Sequence, residues 1–198
     1  SGSVATRSAI LTALLDEVDG VQAVKLFPNP TNNTTAEGVP PYSLMVVVYG
    51  GTTTDISEKL YEVLGINTQT YGTTAYTINT SDGDTETIYH TKATQRPLAV
   101  RVRYKTSNGK QLTDTEQSNI IAEIKDLSET FSINSTIFNI QLVSSVISVV
   151  DISRFSSLQV QIKDEAEDDS AYNTNDLTPD TTEIGVIAED NITFLQIL

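Results

Sequence analysis

The sequence predicts an α+β protein of two small domains, each built of antiparallel or mixed strands packed with one or two helices. Three observations carry this expectation. Helix-period apolar stripes and strand-period alternations are interspersed through both halves of the 198 residues. An apolar run from Ser43 to Tyr49 breaks at Gly50-Gly51 into a helix start. Arg96-Pro97 then punctuates the chain ahead of a new alternating strand, which sets the expected domains at 4–95 and 96–198. The leading Ser1-Gly2-Ser3 reads as a tag remnant and stands outside the fold.

The elements follow in order. Ile10, Leu11, Leu14, Leu15 and Val18 recur at helical spacing, and Gly20 stands where a left-handed cap is expected. Val21 to Phe27 reads as a strand, followed by a polar, Pro-rich loop from Pro28 to Pro41. Leu44 to Tyr49 is apolar on both faces, the mark of a central strand covered on both sides. Asp55 and Glu58 give a capping-box-like helix start; Ile56, Leu60, Val63 and Leu64 form its buried stripe, and Gly65 ends it. Asp82-Gly83 lies between two alternating runs, 75–80 and 85–90, and predicts a hairpin whose two central residues take positive φ.

In the second half, Leu98, Val100, Val102 and Tyr104 alternate with Ala99, Arg101 and Arg103, which predicts a strand with one wet face. Asn108-Gly109 turns the chain, and Thr113 with Glu116 caps a helix carrying Ile120, Ile124, Leu127 and Phe131. Residues 134–150 are β-branched without a clear period and read as a helical turn followed by a strand. Leu158, Val160 and Ile162 mark a half-exposed strand. Residues 164–180 are acidic and nearly free of aliphatics, so they are expected to form a mobile loop. Residues 183–198 hold two apolar runs split by Glu189-Asp190-Asn191 and read as a terminal hairpin.

Composition excludes several classes of function. A formal charge of −14 and a pI near 4.2 argue against DNA or RNA as a partner, since displacing their counterions needs clustered Lys and Arg, and disfavour an anionic membrane surface. No apolar run approaches the ~20 residues needed to span a bilayer. The chain has no cysteine, which removes disulfides, thiol catalysis and Cys-based metal sites.

The side chains offer few candidates for chemistry, and each has a plainer reading. Gly50-Gly51 precedes a helix N-terminus where free N–H groups bind phosphate, but neither the Lys-Ser/Thr of a phosphate-binding loop nor G-x-G-x-x-G is present, so a tight turn is the simpler account. His90, the single histidine, reads as an ordinary strand-end residue rather than a general base. The run Asp164, Glu165, Glu167, Asp168 and Asp169 lacks the turn glycine and closing Glu of a calcium-binding loop, and reads as a solvated charge run. The sequons at Asn33 and Asn134 are expected by chance in a Thr-rich chain. Arg101 and Arg103 are placed to meet an acidic partner, with internal pairing the commoner outcome. No catalytic, cofactor-binding or metal-ligating residue is assigned.

An ordered series of stations points further. Gly20-Val21, Phe27-Pro28-Asn29 and Gly38-Val39-Pro40 lead into Ser43 to Gly51; Ile56, Leu60-Tyr61, Gly65-Ile66, Tyr71-Gly72, Asp82-Gly83 and Thr94 to Pro97 then precede Val100-Arg101-Val102. This series resembles the baseplate J-like family, whose members build the wedges of contractile phage-tail baseplates and related injection machines. The resemblance covers most of the chain and corresponds to the central and C-terminal parts of such a protein. The acidic stretch 164–180 departs from the family pattern, as does the start of the chain, where a member would already have an N-terminal region.

The resemblance implies a non-catalytic structural role, without cofactor. It implies copies arranged in a ring around the tail tube, partnership with other wedge and hub proteins, and residence in the virion after synthesis in the host cytoplasm. Two other functions compete with it. A carbohydrate- or receptor-binding module of a phage tail would use the Tyr-, Thr- and Asn-rich strands, although Trp, the best stacking surface, is absent. A carboxylate hydrolase would use Asp82 and Asp84 or the 165–169 run, and rests on acidic abundance alone.

Overall fold

In the computed structural model, which describes residues 5–198, the chain divides into two units. The first takes residues up to 94 together with 132–134, and the second takes 95–131 and 135–198. Both are α+β, with helices laid on sheets that are mixed or antiparallel.

The first unit begins with α1 (Arg7–Glu17), capped by the Thr6 hydroxyl, which accepts from the Ala9 N–H. The helix ends at Val18, two residues before Gly20, so Gly20 at φ +81° belongs to the turn into β1 (Val21–Pro28) rather than to a helix cap. β1 pairs antiparallel with β2 (Ser43–Gly50), and a bulge shifts the register near Val21. α2 runs Thr53–Leu64. Its cap is Thr52, whose hydroxyl accepts from the Asp55 N–H, so the helix starts earlier than the Asp55-Glu58 pair suggests. Gly65 at φ +74° closes it.

A short strand absent from the sequence reading, β3 (Gln69–Tyr71), pairs parallel with the first half of β2, and β5 (Thr85–Lys92) pairs parallel with its second half. β4 (Thr74–Asn79) and β5 form the expected antiparallel hairpin. Its turn differs in kind: only Gly83 has positive φ, the Gly83 N–H donates to Thr80 O, and the Thr80 N–H donates to Asp84 O. This is the three-residue loop with a glycine bulge, not the two-residue turn. The path β1-β2-β5-β4 leaves β2 interior, and Met45, Val46, Val47 and Val48 are buried, so both faces of the strand are covered. Val46 and Val48 join Ile10 and Leu14 of α1 and Ile56, Leu60 and Leu64 of α2 in one apolar core on one face of the sheet.

The second unit is built on β6 (Thr94–Thr106), flanked by β7 (Phe155–Asp164) and β8 (Glu183–Gln196). Leu98, Val100, Val102 and Tyr104 are fully buried and meet Ile120 and Ile124 of α3 (Asp114–Ser128). α3 carries the expected capping box: the Glu116 N–H donates to the Thr113 hydroxyl and the Thr113 N–H to the Glu116 carboxylate.

Three expectations for this half are corrected. Residues 139–149 form a helix, α4 (Asn139–Val149), where a strand was expected. Leu142, Val146 and Val150, spaced four apart, are buried in the same core, and that packing overrides the β-branched composition. Residues 183–196 form one continuous strand rather than a hairpin. No Gly or Pro lies at Glu189-Asp190-Asn191 to reverse the chain; Ala188, Glu189 and Asp190 are exposed while the strand continues. Ile187 and Ile192 are five apart yet enter the same core, so the alternation slips by one residue across this acidic segment.

The third correction concerns 164–180, which is pinned along its length. Ile162 and Asn173 exchange two backbone hydrogen bonds, 2.8 and 3.1 Å, along β7. Ile137 and Leu177 exchange two more, 2.7 and 3.0 Å, and the Asp176 carboxylate accepts from the Asn139 N–H at 2.8 Å, capping α4.

The tightest backbone approach lies at Gly50, φ +86°, where an added Cβ would stand 2.1 Å from Gly20 O. Gly83, at φ +90°, has nothing within 4 Å. Gly50→Ala is therefore expected to cost on the order of 3 kcal/mol or more, and Gly83→Ala about 1 kcal/mol from dihedral strain alone. Urea denaturation of both variants checks this, and equal losses would show that the Gly20–Gly50 contact carries no weight.

Candidate functional site

Each sequence candidate has a definite place in the fold. Gly50 and Gly51 both take positive φ, and a Cβ on Gly51 would meet the Val21 side chain at 2.8 Å. The glycines are needed for packing one turn against another. At the helix start they lead into, Thr52 takes the Asp55 N–H and Asp55 sets a carboxylate in the first turn, which opposes an anion there.

Asp82 and Asp84 shape the hairpin turn. The Asp82 carboxylate accepts from the Thr80 hydroxyl and from the Asp84 N–H at 3.3 Å, and the Thr80 contact foremost lowers its pKa below the usual carboxylate range. This is a side chain folding its own loop, an Asx-type turn.

The acidic run is organised by cations from the sheet beneath it. Lys163 is only 7% exposed, and its ammonium donates to the carbonyls of Asp164, Glu165 and Glu167 at 3.4, 3.0 and 2.6 Å. The Tyr172 ring lies 5.1 Å from Lys163 Nζ and 4.3 Å from the Arg101 guanidinium. Asp164 receives a two-pronged contact from Arg96, 2.8 and 3.2 Å, and that guanidinium holds its carboxyl below the ordinary range. Among the described residues no group of three or more His, Asp or Glu side chains is placed to hold a metal ion.

Arg101 and Arg103 each reach across the ladder to the residue opposite, Gln161 at 3.0 Å and Gln159 at 3.4 Å. The face expected to be wet is therefore partly covered: Ala99 is buried, and Tyr172 lies over Arg101. Asn33 and Asn134 differ in setting. Asn33 is exposed in the Pro-rich loop, whereas Asn134 is half-buried at φ +56°.

Two open depressions have their charged groups engaged internally. One, about 360 Å³, is lined by Glu17, Asp19, Asp55, Glu58 and Glu62, and its one cation, Lys59, bridges Glu17 at 3.3 Å and Glu62 at 3.2 Å. The other, about 410 Å³, holds Arg154 against Glu116, with contacts of 3.2 and 3.3 Å, and against Asn108 at 3.0 Å. The Glu116 carboxylate is held below its usual pKa, first by the Thr113 N–H and then by Arg154.

Asn29 is the organising residue that sequence reasoning passed over. It is 2% exposed, and its Nδ2 donates to the carbonyls of Asn33, Val39 and Pro40 at 2.7, 2.9 and 2.9 Å. Its Oδ1 accepts from the Thr31 N–H at 3.0 Å and the Thr31 hydroxyl at 2.7 Å. One amide thus closes the Pro-rich loop. The available signal was an Asn between two prolines, a strong former of side-chain turns.

Among the described residues His90 is the titratable group furthest from its ordinary pKa. β5 alternation places it on the face of Ile88, which belongs to the helix-side core; it is fully buried, and neither ring nitrogen has a hydrogen-bond partner. A Cβ on Gly72 would stand 2.4 Å from the His90 backbone, so the chain crosses closely there. Burial, with a smaller contribution from Lys92, pushes its pKa down to about 4. A neutral imidazole enclosed in this way is a core residue, and no hydroxyl meets it to be activated.

No family model and no curated protein matches the chain. Among the described residues no helix is long and apolar enough to cross a membrane.

The His90 shift has a definite consequence for stability. The folded pKa, about 4, lies below the unfolded value of about 6.5, so the unfolded state takes the proton first. The stability this neutral histidine permits is complete above pH 6.5 and is lost as the pH falls toward 4, at up to about 1.4 kcal/mol per pH unit and on the order of 3 kcal/mol in all. Urea denaturation at pH 7, 6 and 5 should show this slope in the native sequence and a flatter one in His90→Leu. An identical slope in both would assign the acid sensitivity to other groups.

Proposed function

We propose that the protein is a non-catalytic structural component of the baseplate wedge of a contractile phage tail or related injection machine. It assembles with copies of itself and with other wedge and hub proteins around the tail tube. It resides in the virion after synthesis in the host cytoplasm.

The observation that carries this reading is where the family-like stations fall. Gly50 and Gly72 are positions of close backbone approach, to Gly20 and to His90, Gly51 packs against the Val21 side chain, Asn29 closes the Pro-rich loop, and Gly65 and Gly83 end a helix and a turn. A resemblance concentrated at residues that dictate backbone path is a resemblance in fold, and the family's fold serves assembly. The charged groups fit that role: Arg96, Arg101, Arg154 and Lys163 are spent on internal contacts. Light scattering of the full-length protein, mixed with the tail proteins encoded beside it, is expected to show a complex of defined mass. A protein that ignores every one of those neighbours would remove the proposal.

A second reading, a carbohydrate- or receptor-binding module of a phage tail, is favoured by one surface. Ala75, Thr77, Asn79, Thr85, Thr87 and Tyr89 are exposed on the outer face of the β4–β5 hairpin and carry no charge. Such a face presents hydroxyl, amide and phenol groups to a sugar. A glycan array probed with the intact protein should give hits that Tyr89→Ala abolishes, and a blank array would end this reading.

A further inference from the structure

We infer that the open edge of β4 docks an extended segment of another protein, which joins the sheet as an antiparallel strand with Lys or Arg at its N-terminal end. The inference rests on the assembly reading for its purpose and names the kind of partner, while its geometry stands on the first unit alone.

β4 ends the path β1-β2-β5-β4, and its ladder with β5 shows which of its backbone groups are spare. The Thr80 N–H donates to Asp84 O, so these two residues form a hydrogen-bonded pair. Alternation along the antiparallel ladder then makes Ile78 with Glu86, Tyr76 with Ile88 and Thr74 with His90 the other bonded pairs. Ala75, Thr77 and Asn79 fall between them, so their N–H and C=O groups point away from β5, along the edge. Among the described residues no backbone group pairs with them there.

The other sheet edges are guarded. β1, at the opposite end of the path, exposes Lys25, ends on Pro28 and carries a bulge. β3 is only 3 residues long. β7 is bridged by Asn173, and β8 exposes Glu189 and Asp190 along its length. Shortness, charge, Pro, bulges and covering segments are the devices by which a sheet refuses a further strand. β4, with the sequence Thr-Ala-Tyr-Thr-Ile-Asn, has no charge, no Pro and no Gly, and is rich in strand-forming residues. On its helix side Tyr76 and Ile78 are half-buried against the core, leaving apolar area that apolar side chains of an added strand would cover.

Charge selects the occupant and its direction. The turn that follows β4 borders a depression of about 380 Å³ whose lining includes Asp82, Asp84, Glu86, Tyr61 and Ile66 and holds no cation. At the other end of the ladder, past the Thr74–His90 pair, stands the exposed Lys92. A strand with its cation beside the turn meets the carboxylates, and one with the cation at the far end meets Lys92. In the antiparallel sense the end beside the turn is the N-terminal one. A second copy of this chain is the wrong occupant, since it brings the same carboxylates and a charge of −14.

The probe is a synthetic peptide, Lys-Lys-Val-Thr-Val-Thr-Val-Thr, labelled with a dye at its C-terminus and titrated with the full chain. Fluorescence anisotropy should give a Kd on the order of 100 μM, weakened about fivefold by moving both Lys to the C-terminal end, and weakened again by salt. Hydrogen exchange reads the edge directly. In the free protein the N–H groups of Tyr76 and Ile78 should be protected and those of Ala75, Thr77 and Asn79 should exchange fast, and about 1 mM peptide should slow the second set about tenfold. Thr77→Pro removes an outward N–H and none from the β5 ladder, so it should abolish peptide binding. If that variant does not fold, Asp84→Asn with Glu86→Gln should weaken the peptide about fivefold and abolish the preference between the two Lys placements. No binding up to about 1 mM, equal binding of the two peptides by the native chain, or slowed exchange that spares Ala75, Thr77 and Asn79 overturns the inference. If the peptide binds as described and no neighbouring tail protein does, the edge stands and the assembly reading falls. If the tail proteins bind and the peptide does not, the reverse holds.

Discussion

Two turns in the first unit run back to back with no room for a side chain between them. The link from α1 to β1 at Gly20 lies against the link from β2 to α2 at Gly50-Gly51. Because β1 and β2 are ladder partners, bringing these turns together starts α1 and α2 from the same end of the pair and lays both on one face of the sheet. Ile10, Leu14, Ile56 and Leu60 then meet Val46 and Val48 in one core. Only glycine supplies the combination of positive φ and missing Cβ that this requires. A third close approach, Gly72 against the His90 backbone, holds the chain beside β5 as it leaves β3.

The second unit is governed by where its cations lie. The acidic stretch after β7 has too few aliphatic groups to order itself by burial. It is ordered because Lys163, Arg96 and Arg101 on the sheet offer partners: carbonyls close around the ammonium, Tyr172 covers Lys163 and Arg101, and Asp164 is clamped by Arg96. Once held, the stretch pairs along β7 and supplies Asp176 as the cap of α4, whose own N-cap residue, Phe138, has no side-chain oxygen to offer. The loop, the edge of the sheet and the helix start are thereby one cooperative structure.

This arrangement bears on function through what it leaves free. Guanidinium and ammonium groups that sequence inspection would offer to a partner are engaged inside their own unit, and the carboxylates of the run are not convergent. What faces outward is an acidic surface interrupted by neutral ones, the α4 face and the β4–β5 hairpin. Neutral patches on a highly charged protein are places where it can be approached closely, and this is the physical content of reading the protein as a component of an assembly.

Local chemistry determined much of this protein. The capping box at Thr113 and Glu116, the stripe of α2, the hairpin around Gly83 and the alternation of β6 follow from hydrogen bonds and periodicities within a few residues of one another, and each is present. The elements that tertiary structure alone decided are those whose deciding partner is distant in the chain. α4 is a helix because Leu142 and Val146 have a core to enter and Asp176 a carboxylate to lend. β8 runs on past its acidic triplet because Ile187 and Ile192 share that core. Residues 164–180 are held because cations lie beneath them, and His90 lost its ordinary pKa to burial that no neighbour in sequence reveals. A single sequence states what each residue prefers; which preference prevails is settled by long-range packing and by the energy of desolvating polar groups, and neither exists until the chain has closed on itself.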